Sequence, residues 1–365
     1  RDVERSRGLG DVYKRQLTWS TFFRGFTMAM TIYDISKKAG VSIATVSRVL
    51  NGSENVRPST RKKVMDVIDK YDYTPNAFAR GMGLHSLKTI GILCADSSDL
   101  FLAKAVYFLE QELQANGYES LLCCTGYNPD IKKNYLNLIL SKKVDSIILV
   151  GSHFIGFNED ENQYIKDVST QVPIMLLNAS FDHPNVYSTL CDDYGTMFEA
   201  ATEMIQSGIT DILYLYDSKS YSGLKKLHGF CDAMKEYNIP GFEKLIHFYD
   251  GNIEHLDEVA DFVAHIAKKG TPFHGIMTSD DSLAIGSIKY AQKKGIRIPE
   301  ELSVMGYNNS MLTNCCTPEL TSVDNRLETQ THQLVQTLLG VLAGEEMPKK
   351  SIFSGKIIKR GTTLF

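Results

Sequence analysis

The sequence of 365 residues has no apolar run that approaches the 18 or more residues needed to span a bilayer. It has no low-complexity tract and no block of like charges, so its composition is that of a soluble globular protein. Its 43% of hydrophobic residues, over this length, can fill the cores of more than one domain. We therefore expect a cytoplasmic protein that does not interact with membranes.

The sequence also lacks the residue spacings of metal, redox and phosphate-binding sites. The seven cysteines include the adjacent pairs Cys123-Cys124 and Cys315-Cys316, and neither pair has the spacing of a metal site or a redox motif. We expect reduced, buried thiols. Residues 93–98, which follow the first strand-like run, contain no glycine that could form a phosphate loop. No constellation of His, Ser and Asp stands out among the nine histidines, so we expect no cofactor, no metal and no enzyme activity.

The first 29 residues do not fit the pattern that follows them. Residues 11–16 can be encoded by GATGTGTATAAGAGACAG, which resembles a transposon adapter used in sequencing libraries. We interpret residues 1–29 as a non-native N-terminal extension and place the natural start at Met28 or Met30. The alternative is a targeting peptide, because residues 17–30 are mildly apolar, but this stretch is short and interrupted and leads directly into a helical motif.

A short basic segment lies near the N-terminus of a chain whose formal net charge is -4. Residues 30–85 contain nine lysines and arginines and five acidic residues, which gives this segment a net charge of +4. A small basic segment attached to a larger acidic body is typical of a DNA-binding module. We therefore expect the DNA contacts of this protein to lie within the segment.

The same segment has the pattern of three short helices. Residues 31–39 have helical spacing, with Thr31 as a cap and a glycine directly after them. A second helix is predicted over residues 43–50 and a third over residues 59–71. Two short helices that meet at a glycine, with a third packed behind, form the helix-turn-helix unit that places its second helix in the major groove. The pattern alone leaves an unrelated three-helix bundle as the alternative.

The segment contains the strings Gly40-Val41-Ser42, then Thr45-Val46-Ser47-Arg48-Val49-Leu50-Asn51, then Tyr73, Pro75-Asn76 and Ala77-Phe78-Ala79-Arg80. These strings resemble the signature of the lactose-repressor (LacI) family of bacterial regulators. The resemblance runs unbroken over residues 31–82 and predicts a helix-turn-helix domain over residues 30–75.

The resemblance implies particular roles for residues of the second helix. Ile43 and Ala44 stand where the family reads bases, and both suit apolar contact with thymine methyl groups, with a simple fit of shape as the alternative. Arg48 can donate a bidentate pair to guanine, and a phosphate contact is the alternative. The other implied DNA contacts, mainly to the backbone, are Thr31, Tyr33, Ser42, Thr45, Ser47, Asn51, Asn76, Ala79 and Arg80.

Residues 76–87 are predicted to form a hinge helix and a linker. Pro75 cannot continue the preceding helix. The next helical stretch, residues 77–84, is about two turns long and contains two glycines, so we expect it to become helical only on DNA. In the LacI family this helix enters the minor groove and wedges a leucine between base pairs, and the resemblance places Met82 at that position. An exposed linker without this contact is the alternative.

From residue 88 onward, short apolar runs alternate with amphipathic stretches. The strand-like runs are residues 89–93, 120–124, 146–150, 174–177, 211–215, 275–277 and 302–306. The helix-like runs are residues 103–116, 131–142, 195–206, 224–237, 255–269 and 282–293. This alternation predicts an α/β fold with doubly wound parallel sheets, and the length of residues 88–365 allows two lobes. Ligands bind beyond the C-terminal ends of such strands, in the cleft between lobes.

The resemblance to the LacI family continues through this region and implies a periplasmic-binding-protein-like domain for sugar binding and dimerisation. It implies three crossings between the two lobes, near residues 187–189, 321–323 and 351–354. Polar or aromatic residues that follow predicted strands are candidates for effector contacts, with helix caps or surface positions as the alternative. The candidates are Asp96, Phe101, Asn178, Asp192, Asp193, Lys226, Asp281 and Asn308.

Two positions depart from the usual pattern of the family. Lys226 stands where an arginine is common, which removes a bidentate donor. Asn308-Asn309 replaces a pair of aspartates, and an asparagine can both donate and accept a hydrogen bond. The Asn-Asn pair resembles the maltose-regulator branch, so we expect maltose or a related α-glucoside as the effector.

The resemblance as a whole predicts a homodimeric repressor that binds operator DNA and is released by a sugar effector. The second helix also resembles that of Gram-positive catabolite regulators, which implies a pseudo-palindromic operator with a central C-G step. A catabolite-control-type global regulator and a corepressor-dependent repressor are the alternatives, because the sequence does not fix the sign of the response. A periplasmic sugar-binding protein would share the lobes but would not need residues 31–84.

Overall fold

The computed structural model describes residues 30–50, 53, 55–71, 86–270 and 272–365. The chain divides into two compact units, Arg1–Leu87 and Lys88–Phe365, which we call the N-terminal unit and the C-terminal unit and describe separately. Within the described ranges, no helix combines the length and the apolar character needed to cross a membrane.

The described part of the N-terminal unit consists of three short helices, α1 (Ile32–Ala39), α2 (Ile43–Leu50) and α3 (Pro58–Lys70). Thr31 and Asp34 form a capping box at the start of α1. Gly40 ends α1 with a φ of 66°, a conformation that residues with a Cβ rarely adopt. The three helices share a small core of buried side chains: Ile35, Val46, Val49, Val64 and Ile68. The predicted helix bounds agree with the observed ones to within one residue.

The C-terminal unit contains two lobes, each built on a sheet. The strands are β1 (Thr89–Cys94), β2 (Glu119–Cys124), β3 (Ser146–Val150), β4 (Ile174–Leu177), β5 (Val186–Cys191), β6 (Ile212–Tyr216), β7 (Ile246–Phe248), β8 (Gly275–Thr278), β9 (Ser303–Tyr307), β10 (Thr321–Asp324), β11 (Lys350–Phe353) and β12 (Lys356–Ile358). Over the described residues, the first-lobe sheet has the parallel order β2-β1-β3-β4-β5-β11. The second-lobe sheet has the order β7-β6-β8-β9-β10-β12, in which β12 runs antiparallel to β10.

Helices cover both faces of each sheet. They are α4 (Leu100–Ala115), α5 (Pro129–Ser141), α6 (Gln163–Ser169), α7 (Asp193–Gln206), α8 (Tyr221–Glu236), α9 (Leu256–Lys268), α10 (Asp281–Lys294) and α11 (Leu327–Ala343), with 3-10 helices at Ser152–Phe154, Asp160–Asn162, Phe242–Leu245 and Met311–Asn314. In the first lobe, α4 and α11 contribute to the core on one face of the sheet, and α5 and α6 contribute to the core on the other face. In the second lobe, one core contains α7 and α8, and the other contains α9 and α10. Strands β3 and β4 are buried at every position, as expected for parallel strands between helices. The predicted two-lobed, doubly wound architecture is confirmed.

The chain passes between the lobes three times. It leaves the first lobe after Cys191, returns after Asp324 and leaves again after Phe353. The first two crossings lie a few residues beyond the predicted positions, because β5 and β10 continue as strands of their own lobes through those positions. The third lies within the predicted stretch.

Candidate functional site

The N-terminal unit exposes one side of α2 and its cap, which we call the recognition surface: Ser42, Ile43, Ala44 and Arg48. Val46 and Val49, on the other side of α2, are buried in the core, and the helical repeat therefore turns the recognition surface outward. Ile43 is 40% exposed. An isoleucine and an arginine that are both exposed on one helix can read base edges, the first by contact with a thymine methyl group and the second by donation to guanine.

Local hydrogen bonds hold the polar residues at the two helix starts. Ser42 Oγ accepts the backbone N–H of Thr45 at 3.2 Å and lies 2.9 Å from Thr45 Oγ1, which caps α2. Thr31 Oγ1 accepts the backbone N–H of Asp34 at 3.4 Å, which caps α1, and its hydroxyl donates to Asp34 Oδ2 at 2.6 Å. Both hydroxyl groups at the start of α2 remain close to the exposed side of the helix, where they can also meet a phosphate.

Two further predicted DNA contacts lie on described helices. Tyr33 is 62% exposed on α1, and Ser47 is half-buried on α2. The remaining predicted contacts lie outside the described residues and are Asn51, Asn76, Ala79, Arg80 and Met82. The DNA contacts of all these residues stay predictions.

In the C-terminal unit, residues from both lobes surround a cavity that we call the interlobe cleft. The first lobe contributes residues that follow β1, β2, β3 and β4, and the second lobe contributes residues that follow β6, β7, β8 and β9. Strand ends at a sheet edge of this kind are where doubly wound folds bind ligands. The cavity holds about 90 Å³, and Ser152 Oγ donates across it to Ser220 Oγ at 2.8 Å. Small-molecule sites commonly hold about 300–1,000 Å³, so the lobes leave little space between them in this state.

Three carboxylates line the interlobe cleft: Asp99 from the first lobe, and Asp217 and Asp280 from the second. Asp99 caps α4 by accepting the N–H of Leu102 at 2.8 Å. Burial, together with the charges of Asp280 and Asp217, raises the pKa of Asp99 to about 6. Burial, followed by the charge of Asp217, also raises the pKa of Asp280. The two lobes therefore face each other with carboxylates of like charge. A ligand with several hydroxyl groups can donate hydrogen bonds to these carboxylate oxygens.

Lys226 brings a positive charge to the same cavity. Its Nζ donates to the backbone oxygen of Ser279 at 3.0 Å and lies 3.9 Å from the centre of the Tyr307 ring. Tyr307 donates its hydroxyl to Asp193 at 2.7 Å, and Ser222 donates to the other oxygen of Asp193 at 2.6 Å. Asp193 is buried behind the cleft, so it acts on Lys226 and Tyr307 rather than on a ligand directly.

Asn308 connects the cleft to the second crossing between the lobes. It follows β9 with a φ of 95°, a region that asparagine populates more readily than most residues. Its Nδ2 donates to Asp280 Oδ2 at 2.8 Å, and its Oδ1 accepts from Asn325 Nδ2 at 3.0 Å. Asn308 therefore fixes the orientation of one cleft carboxylate through both ends of its amide.

Asp281 lies beside Asp280 in the chain but turns away from the cavity. It accepts the hydroxyl of Ser322 and the backbone N–H of Ser310, each at 2.6 Å. Gly306 makes this approach possible, because a Cβ at that position would collide with the Asp281 carboxylate. Burial and the charge of Asp280 raise the pKa of Asp281 to about 7. Asp281 thus joins the loop after β9 to β10.

The predicted effector residues separate into three groups in the structure. Phe101, Asn178, Lys226 and Asn308 line the interlobe cleft. Asp193 and Asp281 are buried behind it. Asp96 and Asp192 do not line it, because Asp96 accepts two hydrogen bonds from Ser98 and Asp192 caps α7 through the N–H of Gly195. The effector contacts themselves stay predictions.

The structure also places residues in the cleft that the sequence analysis did not select. They are Asp99, Leu102, Tyr127, Gly151, Ser152, His153, Asp217, Ser218, Ser220, Ser222, Gly223, Ile253, Ser279 and Asp280. Several of these residues come soon after a predicted strand. Their position after a strand end was the feature of the sequence that could have identified them as cleft residues. Among the described residues, no group of three or more His, Cys, Asp or Glu side chains is arranged to hold a metal ion.

Comparison with known proteins identifies the family. A model for bacterial regulatory proteins of the lacI family matches residues 31–76, and a model for periplasmic binding protein-like domains matches residues 201–363. An HTH-type transcriptional regulator of Lachnoclostridium phytofermentans is 50% identical over 336 residues, which are 92% of this chain and 100% of that relative. The chain belongs to the lacI family of bacterial regulatory proteins. It is accordingly a LacI-family DNA-binding transcriptional regulator.

Other LacI-family proteins are similar at greater distance. Catabolite control protein A of Priestia megaterium is 33% identical over 303 residues, which are 81% of this chain and 87% of that relative. A solved structure of the lac repressor dimer bound to operator and the anti-inducer ONPF has a TM-score of 0.82, at 20% identity, and covers 92% of this chain and 99% of that chain. This likeness in structure confirms the predicted LacI-family fold.

Proposed function

We propose that this LacI-family regulator is a homodimeric repressor that a neutral sugar releases from its operator. The lining of the interlobe cleft carries the proposal: it presents carboxylates and amides, together with the half-buried ring of Phe101, from two lobes. Carboxylate and amide oxygens accept hydrogen bonds from hydroxyl groups. Binding sites for small molecules combine such polar groups with apolar and aromatic walls.

The charges of the cleft favour a neutral sugar over a phosphorylated one. Asp99, Asp217 and Asp280 bring carboxylates to the cavity, whereas the amine of Lys226 is already directed to Ser279 and the Tyr307 ring. A phosphate group would meet like charges there, which costs binding free energy. Maltose or a related α-glucoside is the specific candidate, on the basis of the Asn308-Asn309 pattern.

The recognition surface supports a sequence-specific operator. Arg48 would donate to guanine, and Ile43 and Ala44 would contact thymine methyl groups. A homodimer presents this surface twice about a two-fold axis, which matches a pseudo-palindrome with a central C-G step. We place residues 76–87 in the hinge of this arrangement.

Met82 is proposed to wedge between base pairs at the operator centre. The substitution Met82→Ala should then weaken operator binding while leaving binding to non-specific DNA of the same length unchanged, because it removes an insertion that only the bent operator accepts. Both affinities can be measured by fluorescence anisotropy at one salt concentration. An equal loss on the two DNAs would contradict the wedge.

The sugar would act through the arrangement of the two lobes. The cavity of about 90 Å³ and the bond between Ser152 and Ser220 leave little space for a sugar ring until the lobes move apart. A ligand that requires a different interlobe arrangement binds the two states with different affinity, and only this difference can shift an equilibrium. Operator affinity would fall as the sugar stabilises the ligand-bound arrangement.

A gel shift tests the proposed function directly. The probe is the DNA upstream of the gene for this chain, and the additions are maltose, other neutral disaccharides, glucose and glucose 6-phosphate. We expect a shift that a neutral sugar abolishes and glucose 6-phosphate does not. A shift that no sugar changes would remove the sugar response, and a shift abolished by glucose 6-phosphate would remove the charge argument.

The alternative is a catabolite-control-type or corepressor-dependent regulator. The 33% identity to catabolite control protein A and the similar second helix favour it. The two functions predict opposite changes in operator affinity, because an inducing sugar weakens operator binding whereas a corepressor tightens it. The gel shift distinguishes them when it is repeated at a protein concentration that shifts about half of the DNA.

A further inference from the structure

A second cavity adjoins the interlobe cleft, and we call it the side pocket. It holds about 400 Å³. The first lobe contributes residues after β2, the start of α5 and the loop after β3, and the second lobe contributes residues 217–220. The side pocket shares with the cleft the residues Tyr127, His153, Asp217, Ser218 and Ser220. A ligand that leaves the cleft past these shared residues therefore enters the side pocket.

Aromatic rings form much of the side pocket. Phe157 is 72% exposed and Tyr127 is 52% exposed, although both are large apolar side chains. Tyr127 stands edge to face with the ring of His153, with 4.8 Å between the ring centres. Tyr164 is half-buried beside them and donates its hydroxyl to the backbone oxygen of Phe154, whose ring is buried in the core behind the pocket. Exposed aromatic faces in a concave surface are typical of ligand contact.

The loop that carries Phe157 is fixed by hydrogen bonds from side chains to the backbone. The N–H of Phe157 donates to Glu161 Oε2, and the N–H of Gly156 donates to Asn162 Oδ1, each at 2.8 Å. The Nδ2 of Asn162 donates to the backbone oxygens of Gly156 at 3.2 Å and of Asn158 at 2.9 Å. Asn162 is 4% exposed, so these bonds are largely shielded from water. An exposed aromatic side chain on a fixed loop loses little conformational entropy when it binds a ligand.

We propose that the side pocket is a second saccharide subsite, so that the effector is a neutral oligosaccharide whose first ring occupies the cleft and whose next ring packs against Phe157 and Tyr127. This inference rests on the proposed function, since it specifies the class of sugar. The polar groups at the junction, Ser218, Ser220 and His153, can bind the hydroxyl groups of the linked rings. A monosaccharide would leave the aromatic wall unused, whereas each added ring in contact with it removes apolar area from water.

Isothermal titration calorimetry with the full-length chain tests the subsite. The probes are glucose, maltose and maltotriose, together with cellobiose and cellotriose as the β-linked series. In either the α-linked or the β-linked series, we expect the disaccharide to bind at least about tenfold more tightly than glucose. A tenfold ratio of dissociation constants corresponds to a difference of about 1.4 kcal/mol in binding free energy. The substitution Phe157→Ala should remove most of this gain and leave the glucose affinity unchanged, while Phe157→Tyr should retain it.

Ile352→Ala is the control variant. Ile352 is also an exposed apolar residue of the first lobe, at 55% exposure, but it lines neither the cleft nor the side pocket. Its removal should leave all sugar affinities unchanged. Equal affinity for glucose and for both disaccharides, or an undiminished gain in Phe157→Ala, would overturn the subsite while leaving the proposed function intact. Absence of binding by every sugar would contradict the proposed function and the subsite with it.

Discussion

The recognition surface takes its side chains from seven consecutive residues, 42–48, whereas the interlobe cleft takes its own from Asp99 to Asn308. The first is positioned by one short helix and its cap. The second requires two complete sheets, because its members are the ends of separate strands. The difference means that local sequence determines the recognition surface, while the interlobe cleft depends on long-range packing.

The two regions also differ in charge. The segment over residues 30–85 carries a net charge of +4, whereas Asp99, Asp217 and Asp280 bring carboxylates to the cleft. A polyanion is attracted to the first and an acidic ligand is repelled by the second. The following predictions use this contrast, since changes in one region should leave the ligand of the other unaffected.

The largest expected effect comes from the core of the N-terminal unit. Ile35 is fully buried as one of the five core side chains of the unit, and Ile35→Ala should cost about 3 kcal/mol. A core of this size supplies about 3–5 kcal/mol, so the substitution removes most of the stability of the unit and should lower its unfolding midpoint by more than about 10 °C. Differential scanning calorimetry measures this fall, and operator affinity, measured by anisotropy, should fall with the folded fraction of the unit. Sugar affinity, measured by calorimetry, should not change, and a parallel loss of sugar binding would contradict the independence of the two regions.

The exposed Ile43 is the control for Ile35. Because Ile43 is 40% exposed, Ile43→Ala should leave the thermal unfolding of the N-terminal unit unchanged. Its effect should be confined to operator affinity. A fall in unfolding temperature similar to that of Ile35→Ala would show that the assignment of inner and outer faces of α1 and α2 is wrong.

Arg48 should have the next largest effect. Arg48→Ala is expected to weaken operator binding by about 1–3 kcal/mol, because it removes a bidentate contact with guanine. Arg48→Lys keeps the charge but not the planar pair of donors, so it should recover only part of the loss. Full recovery by lysine would indicate a phosphate contact instead. Base substitutions in the operator half-site identify the guanine.

Asp280→Asn should reduce sugar affinity by about tenfold, since Asp280 lines the cleft and accepts from Asn308. Operator affinity without sugar should stay unchanged. Asp192→Asn is the matched control, because Asp192 is exposed, lies outside the cleft and caps α7, a role that asparagine also fills. Equal effects of the two substitutions in calorimetry would contradict the position of the site.

The smallest expected effect concerns pH. Burial raises the pKa of Asp99 to about 6 from an ordinary value near 3.8, so the folded C-terminal unit binds this proton more tightly than the unfolded chain does. The protonated Asp99 carboxyl group therefore stabilises the fold fully at pH values below its pKa in the unfolded chain. This contribution is lost as the pH rises through the folded-state pKa of about 6. Asp99→Asn should therefore raise the unfolding midpoint by about 2–4 °C at pH 7.5 and by less at pH 4.5. A difference from wild type that is the same at both pH values would contradict this role.

The sequence predicted the elements whose apolar residues are continuous or periodic. β3 and β4 were predicted with their observed bounds, because every residue of these strands is buried. α11 was not predicted, since buried polar side chains such as Gln330, Thr331 and Thr337 interrupt its apolar pattern. β12 has three residues and so offered too little pattern to detect.

Within the cleft, the sequence identified the strand ends better than the individual residues that line the cavity. Asp96 and Asp99 lie in one short loop, and each accepts hydrogen bonds from nearby residues, so local pattern cannot separate them. Asp280 and Asp281 are adjacent. Asp281 turns to Ser322 on β10, a contact across 41 positions of the chain, and this leaves Asp280 to line the cavity.

Reciprocal binding tests the link between sugar and operator most directly. If a neutral sugar lowers operator affinity by some factor, operator DNA must lower the affinity for that sugar by the same factor. Calorimetric titration of the sugar into the protein alone and into the protein saturated with operator measures this factor. We predict weaker sugar binding to the operator complex, by the ratio found in the gel shift. Identical sugar affinity with and without operator would contradict the proposed release by sugar.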